Sequence, residues 1–253
     1  MTDFYRIIAR YYDSEHHDKT EDLAFYEALV GEYGEPVLIV GSGTGRILLH
    51  LADAGLTVHG IEREDAMRAR AEAKRSALPH LSAHSTIHAG DALKLKLDAQ
   101  FKLIILPYNT FMHFLTQDSQ RALLKRIRGW LAEGGALVID LPNAGDAYAG
   151  GDNDAVTLER SFIDLDTGHL VMQQSVSRLD RTSQIMDVTW IYDRIGEEGV
   201  LHRTVAPMRI RYAFQSEITL LLESCGFKVR DVFGDFDETI FDDTAPRMIV
   251  VAE

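Results

Sequence analysis

Short apolar runs alternate with helical segments along the first part of the chain. The clearest apolar runs have the length of buried strands and lie at residues 36–40, 101–106 and 136–141, and two less apolar runs at 57–61 and 85–88 also predict strands. Between them, apolar residues recur at helical spacing or good helix formers predominate, as in residues 63–77 and 117–131. Strands that alternate with helices are typical of a doubly wound parallel sheet, so this pattern predicts an α/β fold.

The pattern changes between Ala155 and Phe214, where apolar and polar residues alternate with a period of two. This alternation is typical of half-buried strands. Turn-forming residues interrupt it at 166–168, 180–183 and 197–199. We therefore expect four strands that form an antiparallel insertion.

Both ends of the chain also carry clear patterns. Residues 1–33 have aromatic and aliphatic residues at the spacing of two short amphipathic helices, separated by the polar residues 13–18. Near the other end, Ser216 to Cys225 predicts a helix with a serine N-cap. Two last strands are expected at residues 228–233 and 247–252.

A glycine-rich turn, Gly41-Ser42-Gly43-Thr44-Gly45, follows the first apolar run. Glycine lets the backbone turn tightly close to a ligand, and the first amides of the next helix are unpaired donors. Glu62 ends the second run, where a carboxylate can accept hydrogen bonds from both hydroxyls of a ribose. The stretch predicts a nucleotide site. Because Arg46 stands at the third glycine of the G-x-G-x-x-G fingerprint, a nicotinamide-dependent oxidoreductase is disfavoured.

Composition narrows the class of protein further. The 253 residues include 26 Lys and Arg against 39 Asp and Glu, which gives a formal net charge of −13. A chain this acidic is not expected to bind nucleic acid, because such binding needs many cations at the phosphates. The single cysteine, Cys225, excludes an internal disulfide and fits a reducing compartment. No apolar run approaches the length of a membrane span, so we expect a cytoplasmic protein without a membrane partner.

The motifs follow one another in the order of a known family. The glycine-rich turn, Glu62, Gly90-Asp91-Ala92 and the segment Leu131-Ala132-Glu133-Gly134-Gly135 resemble the consecutive motifs of class I S-adenosylmethionine-dependent methyltransferases. The pair Tyr12-Asp13 and the insertion make the chain most similar to small-molecule enzymes, including glycine N-methyltransferase-like enzymes and nucleotide-sugar N,N-dimethyltransferases. The resemblance implies a Rossmann-like, doubly wound seven-stranded sheet with an antiparallel β insertion before the last helix.

The resemblance also implies a division of the chain and a function. We expect an N-terminal helical lid at residues 1–33, a cofactor-binding domain at 34–145 and 214–253, and the insertion at 146–213. The expected function is transfer of a methyl group from S-adenosyl-L-methionine to a small-molecule acceptor, with nitrogen favoured, by in-line displacement. The alternative is a non-catalytic cofactor-binding or regulatory protein of the same fold.

The resemblance indicates which residues hold the cofactor. It implies that Asp91 accepts a hydrogen bond from the exocyclic amine of adenine, while the amide of Ala92 donates to a ring nitrogen. Taken alone, Asp91 would be a turn or N-cap residue. The full set expected at the cofactor is Tyr12, Gly41, Ser42, Gly43, Gly45, Arg46, Glu62, Arg63, Met67, Gly90, Asp91, Ala92, Pro107 and Tyr108.

Two residues are candidates for handling the acceptor. His113 lies in the loop after the fourth strand and matches the approximate place of a histidine near the acceptor amine, and Tyr12 is the second candidate. Either could take or orient a proton. Alternatively, His113 is a packed side chain beside Phe111 and Phe114. Family members usually carry an acidic residue at the position of Ile39, so the cofactor site departs from their pattern there.

Other features point to no further chemistry. Adjacent histidines rarely face one centre, so we expect no metal at His16-His17-Asp18 or at His80, His84 and His88. Cys225 lies on an apolar helix face and is expected to be a core thiol. A homodimer through the insertion is compatible with its polar alternation, and the identity of the acceptor is left open.

Overall fold

The computed structural model describes residues 3–145 and 153–253, except for the side chains of 153 and 154. The helices are α1 (Phe4–Glu15), α2 (Leu23–Tyr33), α3 (Arg46–Asp53), α4 (Asp65–Ala77), α5 (Pro79–His84), α6 (Gln117–Trp130) and α7 (Gln215–Ser224), with 3-10 turns at Thr110–His113 and Glu197–Gly199. The strands are β1 (Val37–Val40), β2 (Val58–Glu62), β3 (Ser85–Ala89), β4 (Phe101–Leu106), β5 (Leu131–Pro142), β6 (Asn153–Ile163), β7 (Leu170–Asp180), β8 (Ile185–Ile195), β9 (Leu201–Arg211), β10 (Val229–Phe233) and β11 (Arg247–Ala252).

The larger sheet has seven strands in the order β10-β11-β5-β4-β1-β2-β3. Strands β1 to β5 run parallel, and β11 is antiparallel to both of its neighbours. The predicted fold class is therefore confirmed. The chain winds outwards from β1 to β3 and then returns to β4, so the strand order reverses between β1 and β4. Ligands of open α/β sheets bind at the carboxyl ends of the strands at this reversal.

Strand β1 is apolar because both of its faces are covered. Leu38 and Val40 pack on the side of α6, whereas Val37 and Ile39 pack on the side of α2 and α3. All four residues are at most 2% exposed. Each such side chain contributes about 1.5–3 kcal/mol by leaving water, so this burial fixes the strand that precedes the glycine-rich turn.

Strands β6 to β9 form a separate antiparallel sheet in sequential order, and the three predicted turns lie between them. Helix α1 packs against this sheet through Phe4, Ile8 and Tyr11, which contact an apolar cluster that includes Val171 and Tyr192. The ring of Tyr11 stacks on that of Tyr192 with 5.3 Å between ring centres. Helix α1 therefore lies between the insertion and the carboxyl ends of the parallel strands.

Several predicted boundaries are wrong. Helix α1 continues through residues 13–15, which were expected to lie between helices. Ser216 is not an N-cap, because α7 starts at Gln215 after Phe214 without a side-chain cap. Strand β5 starts at Leu131, directly after α6, and its pairing with β4 is irregular near Phe101.

Smaller differences affect three other elements. Helix α4 starts at Asp65, two residues later than expected, and the additional short helix α5 follows it. Strand β10 starts at Val229. The predicted domain boundary at residue 146 lies outside the described residues. In the ranges that the structure covers, we find no helix with both the length and the apolar character needed to cross a bilayer.

Candidate active site

A cavity of about 280 Å³ opens at the carboxyl ends of the parallel strands, next to β1 and β4. Its wall combines the glycine-rich turn, the ends of β2 and β3, the loop after β4 and helix α1. Of the predicted site residues, those that line the cavity are Tyr12, Gly41, Ser42, Gly43, Arg46, Glu62, Arg63, Met67, Gly90, Asp91, Ala92, Pro107, Tyr108 and His113. Residues far apart in the sequence are thus brought to one place.

Gly45 is absent from the cavity wall, but its backbone shapes the turn. Its φ angle of +87° makes it the left-handed N-cap of α3. A Cβ atom there would lie 3.2–3.3 Å from side-chain atoms of Leu49 and Ala71. Gly45 therefore sets the close approach of α3 and α4, and the structure gives no contact between Gly45 and the cavity.

Glu62 links the end of β2 to the glycine-rich turn. Its Oε2 accepts a hydrogen bond from the amide of Gly43 at 2.8 Å, and its Oε1 accepts one from the amide of Glu64 at 2.7 Å. Burial raises the pKa of the Glu62 carboxyl, although these amides oppose the rise. The carboxylate is thus held at the cavity wall, where a ribose would meet it.

Asp91 has the turn role expected from its residue type, and its role at the adenine stays a prediction. Its Oδ1 accepts a hydrogen bond from the amide of Leu93 at 2.9 Å, which is the turn role expected from its type. The residue also lines the cavity, next to Gly90 and Ala92. The turn fixes the Asp91 side chain at the wall.

Arg46 lines the cavity, but its guanidinium is engaged elsewhere. Two of its nitrogens donate to the carboxylate of Asp22 at 2.6 and 2.5 Å, and a third contact reaches the carbonyl of Lys19 at 2.9 Å. Asp22 is fully buried. Since a buried charge requires a partner, the Arg46 side chain stabilises the segment before α2.

His113 and Tyr5 form a hydrogen-bonded pair at the cavity. The hydroxyl of Tyr5 lies 2.7 Å from Nε2 of His113. Burial, with the nearby charge of Arg63, lowers the pKa of His113 to about 4, and burial raises the pKa of Tyr5. At neutral pH the imidazole is therefore neutral, and one hydrogen bond joins its Nε2 to the Tyr5 hydroxyl, with the donor set by the tautomer of His113. The alternative, in which His113 is a packed side chain beside Phe111 and Phe114, stays a prediction.

Tyr5 was missed by the sequence analysis. The residue stands seven positions before Tyr12, which is two helical turns, so both side chains lie on one face of α1. Their rings are 6.3 Å apart. The spacing from Tyr12 is the sequence signal that could have identified Tyr5.

A second cavity of about 190 Å³ lies between α1 and the antiparallel sheet. Four side chains line both cavities: Tyr5, Tyr12, Tyr108 and His113. The two cavities are therefore adjacent, and these four side chains form a common wall that lines both of them. A molecule in the second cavity would lie next to a ligand of the first, beside these rings.

The loop after β4 is held rigidly at this wall. Asp140, which is fully buried, accepts a hydrogen bond from the amide of Tyr108 at 2.8 Å and from Nε of Arg247 at 2.8 Å. Arg247 also donates to the side chain of Asn109 at 2.8 Å. Tyr108 and Asn109 have φ angles of +42° and +67°. The ion pair between Asp140 and Arg247 stabilises the left-handed backbone of Tyr108 and Asn109, and Tyr108 lines both cavities from this loop.

Ile39, which stands where family members usually carry an acidic residue, is 1% exposed. A carboxylate from another element reaches the glycine-rich turn instead. Oδ1 of Asp13, on α1, accepts a hydrogen bond from Oγ1 of Thr44 at 2.6 Å. Arg70 and Lys74 of α4 also donate to Asp13, each at 2.9 Å. Helix α1 is thereby attached to the turn.

The chain fits S-adenosylmethionine in a specific respect. Ser42 lines the first cavity, and its hydroxyl is buried without a hydrogen-bond partner among the described residues. A polar ligand in the cavity could satisfy this hydroxyl. By contrast, the described residues contain no group of three histidine, cysteine or acidic side chains arranged to hold a metal ion.

Comparisons with known proteins find similar methyltransferases. A methyltransferase domain family matches residues 37–135. The cypemycin N-terminal methyltransferase of Streptomyces sp. is 27% identical over 222 residues, which are 87% of this chain and 83% of that protein. The dTDP-3-amino-3,6-dideoxy-alpha-D-glucopyranose N,N-dimethyltransferase of Streptomyces fradiae is 28% identical over 147 residues, 55% of each chain. The solved CcbJ methyltransferase of Streptomyces caelestis has a TM-score of 0.80 at 24% identity, with 95% of both chains covered.

The seven-stranded sheet and its cavity at the strand-order reversal define a class I methyltransferase fold. Together with the matched domain, they show that the chain is an S-adenosylmethionine-dependent methyltransferase of that class. Its cofactor is S-adenosylmethionine. The alternative of a non-catalytic protein of the same fold is not favoured.

Proposed function

We propose that the enzyme methylates an amine nitrogen of a small molecule that binds in the second cavity. The observation that carries this proposal is the common wall, in which Tyr5, Tyr12, Tyr108 and His113 line both cavities. The relatives described above include an N-terminal methyltransferase and an aminosugar N,N-dimethyltransferase, which supports nitrogen as the acceptor atom.

The residues of the wall would align the acceptor and exclude water. S-adenosylmethionine supplies a methyl group that is already activated by the sulfonium, so no protein nucleophile is needed. A neutral amine is required for attack, and burial in an aromatic cavity favours the neutral form. With its pKa lowered to about 4, His113 is a weak base at neutral pH. We therefore assign His113 and Tyr12 the role of orienting the acceptor, with Tyr5 holding the imidazole of His113.

The first cavity would hold the cofactor through the residues that line it. Glu62 would bind the ribose, while Asp91 and Ala92 would bind the adenine. The glycine-rich turn would lie beside the methionine part, with the hydroxyl of Ser42 as a partner. The N-terminal helices at residues 1–33 would act as a lid, because α1 lies next to both cavities through Tyr5 and Tyr12.

The test is a two-step measurement on the full-length protein. Calorimetry should detect binding of S-adenosylhomocysteine, with a strong loss of affinity in Asp91→Ala and Gly43→Val. Asp118→Ala, at a side chain that is 96% exposed on α6, is the matched control and should bind normally. Unchanged affinity in both site variants would refute the assignment of the cofactor site.

The second step identifies the acceptor atom by mass spectrometry after incubation with S-adenosylmethionine. Paired amines and alcohols of similar shape should yield methylated amines only. Tyr5→Phe should lower kcat with little change in the affinity for S-adenosylhomocysteine, because it releases the His113 ring and removes only one hydroxyl from the lining of the first cavity. Methylation of the alcohols alone would overturn the choice of nitrogen.

The oligomeric state and cellular location stay predictions. The edge strands of the antiparallel sheet expose large apolar side chains, namely Val156, Leu158 and Val205. This exposure is compatible with a homodimer through the insertion. Sedimentation equilibrium would detect it, and a monomer at all concentrations would exclude it.

A further inference from the structure

The second cavity contains a buried carboxylate that has no strong cationic partner among the residues that the structure describes. Glu15, the last residue of α1, is 8% exposed and lines the cavity. Its Oε1 accepts a hydrogen bond from Nε2 of Gln173 at 2.7 Å, and its Oε2 accepts one from the hydroxyl of Tyr192 at 3.0 Å. Both donors are neutral. Two hydrogen bonds leave further acceptor positions of the carboxylate unused.

The cations near Glu15 do not neutralise it within the cavity. Nε2 of His16 lies 3.9 Å from Oε1, but burial lowers the pKa of His16, which favours the neutral imidazole. Arg160 donates to the backbone carbonyl of Glu15 at 3.0 Å, and its exposed position lets solvent screen its charge. Since burying a carboxylate is costly without a counter-charge, a cationic ligand would gain from binding here.

Trp190 adds a second unsatisfied group to the same cavity. The residue lines the cavity, and its indole Nε1 is buried with no hydrogen-bond partner among the described residues. An indole N–H is a donor only, so the group that satisfies it must be an acceptor, such as a hydroxyl, ether or carbonyl oxygen. The lining of the cavity therefore includes one buried carboxylate, that of Glu15, and one residue with a neutral donor, Trp190. Glu159 and Arg160 also line the cavity, but both are exposed, so solvent screens their charges.

We propose that the second cavity selects a small amine that also carries an oxygen function, with Glu15 as the counter-charge of the nitrogen and Trp190 as the donor to the oxygen. This inference rests on the proposed function. In methyl transfer to a neutral amine, the N–C bond forms while the C–S bond breaks, and the positive charge passes to nitrogen. A carboxylate on the acceptor side favours that movement of charge, because it stabilises the positive nitrogen that forms. An amine that arrives as its ammonium ion is also attracted by Glu15, and it must release its proton to water before the nitrogen lone pair can attack.

The charge is tested with two probes of similar shape, cyclohexylamine and cyclohexanol. They are titrated into the full-length protein with and without saturating S-adenosylhomocysteine. The chain has two tryptophans, so the fluorescence of Trp190 can be followed alone in a Trp130→Phe background. Cyclohexylamine should bind at least about tenfold more tightly than cyclohexanol. This comparison needs no variant at Glu15, so it decides the question even where such a variant fails to fold.

Variants then assign the effect to one residue. Glu15→Gln keeps the size of the side chain and should remove most of the amine preference, while the affinity for S-adenosylhomocysteine is unchanged. Glu159→Gln is the matched control, because Glu159 lines the same cavity but is exposed, and it should retain most of the preference. Equal binding of the two probes, or a full preference in Glu15→Gln, would overturn the proposal.

The oxygen is tested with trans-4-aminocyclohexanol. It should bind more tightly than cyclohexylamine and shift the Trp190 emission to longer wavelength. In Trp190→Phe, where binding is followed by calorimetry instead, the gain should be abolished. No gain from the hydroxyl would refute the role of Trp190. Failure of all three probes in a protein that binds S-adenosylhomocysteine would refute the inference alone. Failure to bind S-adenosylhomocysteine would instead count against the proposed function.

Discussion

The carboxylate of Asp13 attaches α1 to the glycine-rich turn. We consider the substitution Asp13→Asn, which keeps the shape of the side chain and removes its charge. The carboxylate accepts hydrogen bonds from Thr44 at 2.6 Å and from Arg70 and Lys74 at 2.9 Å each. It thus joins α1, the glycine-rich turn and α4.

The magnitude follows from the exposure of the partners. The Asp13 side chain is 24% exposed, that of Arg70 is 28% exposed and that of Lys74 is 41% exposed. A buried hydrogen bond to a charged group contributes about 1.5–3 kcal/mol, whereas an exposed ion pair contributes about 0–1 kcal/mol. Thr44 is 1% exposed, so its hydrogen bond to Asp13 belongs to the buried class. The ion pairs of Asp13 with Arg70 and Lys74 are closer to the exposed class. We expect a loss of about 2 kcal/mol in the free energy of unfolding.

The effect should depend on pH in a defined direction. Burial raises the pKa of the Asp13 carboxyl, but the hydrogen bonds from Thr44 and Lys74 outweigh it, so the pKa in the folded protein is lowered from 3.8. A carboxyl with a lowered pKa stabilises the fold above its unfolded pKa, and the contribution is lost as pH falls through the folded value. The difference between wild type and Asp13→Asn should therefore shrink in acid.

The assay is urea unfolding at pH 7 and near pH 3.5, together with calorimetry of S-adenosylhomocysteine. Asp3→Asn is the matched control, because Asp3 precedes the same helix and pairs with Arg6 while both side chains are 62% exposed. It should change stability by less than about 0.5 kcal/mol. A neutral Asp13→Asn with unchanged cofactor affinity would refute the view that Asp13 attaches α1 to the turn.

Two other perturbations give independent checks. In Gly60→Ala the new Cβ would lie 2.5 Å from Leu48 and 2.6 Å from the Ser42 hydroxyl, so we expect a loss of about 1–3 kcal/mol and weaker S-adenosylhomocysteine binding by calorimetry. Gly31→Ala is its control, because a Cβ at Gly31 would have no described heavy atom within 4 Å apart from its chain neighbours and its own helix backbone. This variant should be neutral or stabilising, which would exclude a general effect of alanine. For His113 the pKa is lowered from 6.5 to about 4, so the unfolded state binds the proton first, and stability should fall as pH drops from 6.5 towards 4. Because His113 is partly exposed, we expect this loss in the free energy of unfolding to be up to about 2 kcal/mol. Urea unfolding of His113→Phe should not show the loss. An equal loss of stability in that variant would contradict the assignment of the pH dependence to His113.

The fold was predictable because its signals are local. Most of the apolar runs are strands with buried side chains, whereas β3 lies at the edge of the sheet and is partly exposed. The segments between the runs have helical spacing or composition, so the element order follows from periodicity. The glycine-rich turn was predictable for a similar reason, since Gly41 and Gly43 adopt φ angles of +75° and +59° that other residues avoid. The exact ends of elements were less predictable, as Ser216 illustrates, because tertiary packing decides where a helix starts.

The pairing of side chains across elements was not predictable from the chain. Arg46 illustrates this limit, because its position in the glycine-rich turn indicates a ligand, whereas its guanidinium binds Asp22, 24 residues earlier. Ile39 illustrates the opposite case, in which a residue of the motif lacks the expected side chain. The carboxylate that contacts the glycine-rich turn belongs to Asp13 of α1, and no pattern near the turn reveals this.

The second cavity shows the same limit of prediction from the sequence, because its polar groups come from three elements that are distant in sequence. Glu15 belongs to α1, Gln173 to β7 and both Trp190 and Tyr192 to β8. In the sequence, Glu15 is an acidic residue in a polar segment, and solvation is its ordinary state. Only the packing of α1 on the antiparallel sheet removes its carboxylate from water while leaving it open to a cavity. At the proposed acceptor site, acceptor choice therefore depends on the contact between α1 and the insertion. Changes at that contact should alter which small molecule is methylated while leaving the affinity for S-adenosylhomocysteine unchanged.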